Sequence, residues 1–210
     1  MIVVDLPEET LNDSNEFLGV DLGIVNIATT SDGKTFSGMK CTEIREHFSK
    51  LKAIYQKAGT YSAKKHLRKI SGRERRFKKD TNHCISKDIV QTAKDTNRSI
   101  ALEDLSGIRE RTTVRKAEKE KHEKWAFLEL RNFIEYKAKI LGVLVKLIDP
   151  HYTSQKCSVC GHIDKKNRKS QENFACLACG HTENADYNAS KNIAFRAVIN
   201  LPIVLCSGLS

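Results

Sequence analysis

Two thiol pairs constrain this chain more than any other feature. Cys157/Cys160 and Cys176/Cys179 each have two residues between the partners, and fifteen residues separate the pairs. That spacing fits a four-thiolate zinc site. Gly161 and Gly180 follow the pairs, and glycine lets the backbone fold back so that N–H groups face the sulfurs. His162 and His181 lie two residues past each pair, but four cysteines already fill a tetrahedron. The plain alternative is a disulfide framework. Tight CxxC pairs suit metal knuckles better, and the N-terminal MIVVDLPEETLNDSNE lacks the charged and apolar regions of a secretory signal. Asp186 stands seven residues after the last cysteine, at the start of a helix-like run. The stretch 153–183 is expected to be a zinc ribbon that docks a carboxylate into a site formed by the rest of the chain.

The chain has 210 residues, 40% of them hydrophobic. That allows one ordinary domain plus a small metal-stapled lobe. The net charge of +10 and a pI near 9.3 favour a polyanionic partner, most often nucleic acid. Cys41, Cys84 and Cys206 share no spacing with the two pairs and are expected to be ordinary thiols in a reducing compartment. No run approaches the ~20 apolar residues of a membrane-spanning helix, so an intracellular, soluble chain is expected.

Residues 1–16 are acidic and receive no function. FLGVDLGIVNIATT (17–30) predicts a central strand, with Asp21 inside it, and a return strand over 24–30; KTFSG supplies a third strand after Asp32-Gly33. A carboxylate in such a strand is expensive to bury unless paired or metal-bound. Apolar positions at steps of three and four predict a helix over 42–58 and another over 82–96. Residues 45–79 hold thirteen Lys or Arg against Glu46 and Glu74. Leu67, Ile70 and Phe77 interrupt the charges, so a basic helical arm for backbone phosphates is expected. SIALEDL (99–105) is a strand in which Glu103 and Asp104 point to opposite faces, so only one of them can face a site with Asp21, the plain alternative being two surface acids at a strand end.

Residues 109–124 form either a charged linker or lid that contacts nucleic acid or a solvated helix. A helix begins at Trp125, with Phe127, Leu130, Ile134, Ala138 and Leu141 on one stripe and Gly142 at its end. VLVKLI (143–148) is a further strand. After Asp186, a helix over 187–199 puts Ala189, Ile193, Ala197 and Val198 on one side. The tail 200–210 is left unplaced. The order is β-β-β-α-β-α-β-ribbon-α, which predicts an α/β fold with a mixed sheet. In it, the ends of the first and fourth strands and the last helix can converge on Asp21, Glu103 and Asp186. Clustered carboxylates repel, and hard divalent cations such as Mg²⁺ or Mn²⁺ would compensate them. Two such ions can hydrolyse a phosphodiester.

GVDLG with Asp21, ALEDL with Glu103, and TSQKCSVCG…CLACGHTENADYNASKNIA with Asp186 together resemble the TnpB (OrfB) proteins of insertion sequences, relatives of type V CRISPR effectors. The resemblance runs from about Phe17 to Ala194. It implies an RNase H-like (RuvC) nuclease domain over 17–152 and 184–199, with a zinc-ribbon, nucleic-acid-binding insert over 153–183. It implies Asp21, Glu103 and Asp186 as catalytic acids holding Mg²⁺ or Mn²⁺, which selects Glu103 over Asp104. It implies Cys157, Cys160, Cys176 and Cys179 as ligands of one structural Zn²⁺.

DNA is the implied target, cut under the direction of a guide RNA, in a prokaryotic cytoplasm at the nucleoid. Family members usually carry a large N-terminal part that holds the guide. Residues 1–16 cannot replace it, so an N-terminally truncated form is expected, with the guide held by the missing part or a helper. The competing expectation is a catalytically silent nucleic-acid-binding remnant of a truncated transposon gene.

Overall fold

The computed structural model describes residues 14–104 and 114–199, without the side chains of 114–126. Its centre is β1 (Phe17–Asp21), which lies in the middle of a five-stranded sheet. On one side β1 pairs antiparallel with β2 (Asn26–Thr30), and β2 pairs antiparallel with β3 (Thr35–Ser37). On the other side it pairs parallel with β4 (Ser99–Glu103), which pairs parallel with β5 (Val145–Ile148). The sheet is therefore mixed, as the sequence predicts. The return strand starts at Asn26 and the last core strand at Val145, each two residues later than expected.

Strand alternation sorts the sheet into two faces. Leu18, Val20, Ile100 and Leu102 pack with Ile85, Ile89, Leu130 and Ile134 of two long helices. Phe17, Ala101 and Ile148 pack on the opposite face against Ile193 and Ala197 of the last helix. By the same alternation, Asp21 and Glu103 point toward that last helix.

α1 (Met39–Ala58) folds back as a hairpin on α2 (Tyr61–Asp95). The sequence suggests two separate segments over 61–95, but a single 35-residue helix spans them. Gly72 lies inside it without breaking it; the glycine penalty of about 1 kcal/mol is small beside the packing of Ile70, Ile85, Ile89 and Val90. α3 (Val114–Ile140) begins eleven residues before the expected Trp125. The charged segment there is helical because Lys, Glu and Ala are good helix formers, even without an apolar stripe. Its first expected residues, 109–113, lie outside the described residues, as do the segment 1–13 and the tail 200–210. Gly142 ends the following turn at φ 67°.

The second lobe spans Thr153 to Asn184. It holds a one-turn 3₁₀ helix (Lys165–Asn167) and a two-stranded ribbon of β6 (Asn173–Ala175) and β7 (Thr182–Asn184). The chain then enters α4 (Ala185–Ile199), which lies across β1. Ala189, Ile193 and Ala197 are buried as predicted, but Val198 is 42% exposed, because it sits beyond the edge of the packed stripe. No described helix is long and apolar enough to cross a membrane.

Candidate active site and thiol centre

The parallel register of β1 and β4 builds the site. It pairs Gly19 with Ala101 and Val20 with Leu102. One step further along the same register sets Asp21 beside Glu103, at the carboxyl ends of neighbouring strands about 4.8 Å apart. α4 supplies the third acid. Asn184 caps this helix, its side-chain oxygen accepting from the backbone N–H groups of Asp186 (3.0 Å) and Tyr187 (3.1 Å). Asp186 therefore sits in the first helical turn, where the exposed N–H groups favour a carboxylate.

α4 reaches the sheet because Gly19 has no side chain. A β-carbon there would stand 2.1 Å from the carbonyl oxygen of Ser190 and 2.6 Å from the backbone nitrogen of Ala194. The helix backbone thus rests directly on β1.

Asp186 and Glu103 have defined side-chain partners. Asn26 donates to one oxygen of Asp186 at 2.9 Å, and Arg168 donates to the other at 3.2 Å. The Thr153 hydroxyl donates to Glu103. Asp21 is pushed up to about 8, first by burial and then by the charges of Glu103 and Asp186, with Arg168 opposing them. Burial also raises Glu103, against the Thr153 hydrogen bond and the charges of Arg196 and Arg168. Asp104 faces the other way and pairs with Arg131 at 3.2 Å. The opposite orientation expected for Glu103 and Asp104 is therefore observed.

Arg168 is the residue that sequence reasoning missed. It belongs to the KKNRK stretch (165–169), which reads as a basic hairpin tip able to touch phosphates and not as a partner of the acids. Folding brings its guanidinium to Asp186, where its charge also acts on Asp21 and Glu103. No local pattern marks it, since five neighbouring positions are similarly polar or basic. Asn26 and Thr153 were equally silent.

The four thiols are gathered more tightly. The sulfurs of Cys157, Cys160, Cys176 and Cys179 all lie within 4.8 Å of one another, and they are the one group of three or more such ligand residues this close among the described residues. Two of the Sγ–Sγ separations are 3.5 and 3.8 Å. A tetrahedron with metal–sulfur bonds of about 2.3 Å has edges of about 3.8 Å, so the cluster fits a metal ion such as zinc.

Gly161 and Gly180 take φ 76° and 73°, and their N–H groups bond back to Cys157 and Cys176. The backbone N–H groups of Cys179 and Ala178 draw the Cys176 thiol down to about 6. Cys160, despite the N–H of His162, is pushed up to about 12 by desolvation and by the other three sulfurs. Four thiolates this close need a cation to share. Neither histidine joins them: His181 turns its ring to Glu183 at 2.9 Å. Cys41 is partly buried and Cys84 exposed, apart from the cluster, and Cys206 lies outside the described residues.

The thiol lobe is fixed to the acid site by α4. Asn188 and Asn192, both buried, donate to the carbonyl of Lys156 at 2.8 and 2.7 Å, and Asn192 also donates to that of Thr153. Ala185, beside Asp186, packs with Cys157, Phe174 and Cys176.

A family model described as a probable transposase, that of OrfB in IS605 elements, matches residues 1–107. A second, described as a Cas12f1-like TNB domain, matches residues 127–193. A CRISPR-associated endodeoxyribonuclease Cas12f1 of Sulfoacidibacillus thermotolerans is 32% identical over 90% of this chain and 47% of its own length. A TnpB-like protein of Methanocaldococcus jannaschii is 38% identical over 58% of this chain and 45% of its own. The chain spans about half the length of these curated relatives.

Among solved structures, a CRISPR-Cas12f ternary complex superposes with a TM-score of 0.67, at 22% identity, over 92% of this chain and 41% of that one. The architecture is thus that of the Cas12f proteins, a mixed α/β sheet with helices. The chain belongs to the TnpB (OrfB) family.

Proposed function

We propose that this chain is the cutting portion of an RNA-guided DNA endonuclease, with an RNase H-like (RuvC) domain over 17–152 and 184–199 and a zinc ribbon over 153–183. The observation that carries the reading is the register that sets Asp21 beside Glu103, with Asp186 entering from α4 on the same face. The Cas12f1 relative from Sulfoacidibacillus thermotolerans is itself named an endodeoxyribonuclease.

Asp21, Glu103 and Asp186 would hold Mg²⁺ or Mn²⁺, which supplies an activated water and a stabilised leaving oxygen for phosphodiester hydrolysis. The oxygens of the three acids are not as tightly gathered as the thiols. A pair of ions roughly 4 Å apart does not require that, because each ion takes its own ligands. The chain's own residues do the rest. Thr153 and Asn26 fix the rotamers of Glu103 and Asp186, and each carboxylate keeps lone pairs for a cation. Arg168, standing among the acids, offers a planar, always-charged donor to a phosphate entering the site. Cys157, Cys160, Cys176 and Cys179 would hold one Zn²⁺, which keeps Arg168 and the start of α4 in place.

Target DNA would lie along the basic surfaces of α1, α2 and the ribbon, held by its phosphates without base readout. The guide RNA would be held by the part of the relatives beyond the matched share, or by a helper. A cytoplasmic protein at the nucleoid follows from this reading. The competing idea, a silent binding remnant, is not favoured, since all three acids are present, with side-chain partners on Glu103 and Asp186.

The test is strand cutting by the zinc-loaded chain. Mg²⁺- or Mn²⁺-dependent nicking of single-stranded DNA that disappears in Asp21→Ala is expected. A cutting rate unchanged in Asp21→Ala would move the activity to another site.

A further inference from the structure

The α1–α2 hairpin carries a surface that the acid site does not use. Eight Lys or Arg and no acid lie in residues 47–73, Arg73 included. On α2, Ala63 and Ile70 are buried and Leu67 and Phe77 partly so, which defines the face packed on α1 and the body of the chain. At 3.6 residues per turn, the ridge opposite that face runs Tyr61, Lys65, Arg68, Gly72, Arg75, roughly 20 Å along the helix. Tyr61, Lys65, Arg68 and Arg75 are all exposed, and Tyr61 is 86% exposed, more than any other large apolar side chain described.

This ring does nothing for the fold. It faces away from every packed side chain on its helix. The hairpin is closed by other means: Tyr55 and His66 stack at 5.3 Å with ring planes 9° apart, and Thr60 caps α2 by accepting from Ala63 at 3.2 Å. The platform under Tyr61 is therefore rigid before any partner arrives.

An aromatic face on a firm base, with cations spaced along the same ridge, suits one kind of partner. Base–aromatic stacking is worth about 1–3 kcal/mol per base, and each Lys or Arg that meets a phosphate releases a counterion. We propose that Tyr61 is a stacking platform for an unpaired base of a nucleic-acid strand whose phosphates run along Lys65, Arg68 and Arg75. The proposal rests on the nucleic-acid reading given above, but not on the chemistry of the acids. Every base has a stacking face, so single-stranded DNA and single-stranded RNA share this chemistry, whereas a blunt duplex does not offer an unpaired base.

The test uses the full zinc-loaded chain without added Mg²⁺, and oligonucleotides carrying the fluorescent base 2-aminopurine. Quenching on binding single-stranded DNA or RNA is expected, with less on a blunt duplex; the better of the two strands names the natural partner. Tyr61→Leu should remove the quenching and weaken binding about 5- to 100-fold, with an unchanged melting curve. Arg68→Gln should keep the quenching at saturation and lower the salt slope by about one. Tyr61→Leu that binds and quenches like the parent, or equal quenching with the blunt duplex, would overturn the platform. Asp21→Asn separates the two readings. It should quench fully without cutting, so a failed cutting assay leaves the platform standing and a failed quenching assay leaves the nuclease standing.

Discussion

A β-carbon on Gly19 would lie 2.1 Å from the carbonyl oxygen of Ser190. This close approach of β1 and α4 brings the carboxylate of Asp21 and that of Asp186 to one face of the sheet. Gly19→Ala must push α4 away from β1, since the obstructing atoms are backbone. Overpacking of this kind costs about 1–3 kcal/mol or more. Urea unfolding should show at least that loss, and cutting should fall further than stability does, because a misplacement of about 1 Å is enough to disable a positioned site.

The protonation of Asp21 gives a pH prediction for the metal-free chain. Its folded value of about 8 lies above the ordinary aspartate value, because burial and two neighbouring acids disfavour its charge. The folded state therefore holds a proton that the unfolded state has released. This contribution to stability is intact below about pH 4 and is lost as the pH rises toward 8. Glu103 is shifted in the same direction. Denaturant midpoints of the metal-free chain should fall across that window, and Asp21→Asn should flatten the fall.

Arg168 is predicted to matter through its guanidinium, not through bulk positive charge. Removing one positioned donor to developing negative charge costs about 10²–10³-fold in rate. Arg168→Ala should show a loss of that order with Mg²⁺ present, and Arg168→Lys should recover only part of it, because an ammonium lacks the planar fork. A single-turnover cutting assay with both variants decides this.

How much of this site the sequence reveals depends on how local its causes are. The thiol pairs are set by spacing within a few residues, so the cluster and its knuckle glycines are legible directly. The alternation of Leu18, Val20, Ile100 and Leu102 reports two core strands, and the opposite sides of Glu103 and Asp104 follow from the same period. The partners of the acids are different. Arg168 meets Asp186 across a ribbon turn, and Thr153 meets Glu103 across fifty residues, so nothing in either neighbourhood marks them. Helix extents are hard to read where a charged sequence lacks an apolar stripe, as at the start of α3, or where one helix, α2, joins a basic run to an apolar-striped segment.

Metal removal should act at a distance. Ala185 packs with Cys157 and Cys176, and Asn188 and Asn192 hold the ribbon's backbone. Stripping the thiol-bound metal with a chelator, or Cys176→Ser, should free amide hydrogens over 153–192 to exchange. The amides of β1 and β4 should stay protected, since their core of Leu18, Val20, Ile100 and Leu102 does not involve the ribbon. Hydrogen–deuterium exchange before and after chelation measures both segments in one experiment.

Asp21, Glu103 and Asp186 are proposed to hold hard divalent cations together. Mn²⁺ binding to the zinc-loaded chain, followed by electron paramagnetic resonance, tests this without guide or target. Bound Mn²⁺ is expected in the parent and its loss in each of Asp21→Asn, Glu103→Gln and Asp186→Asn, with folding intact by circular dichroism. Undiminished Mn²⁺ binding in all three variants would contradict it.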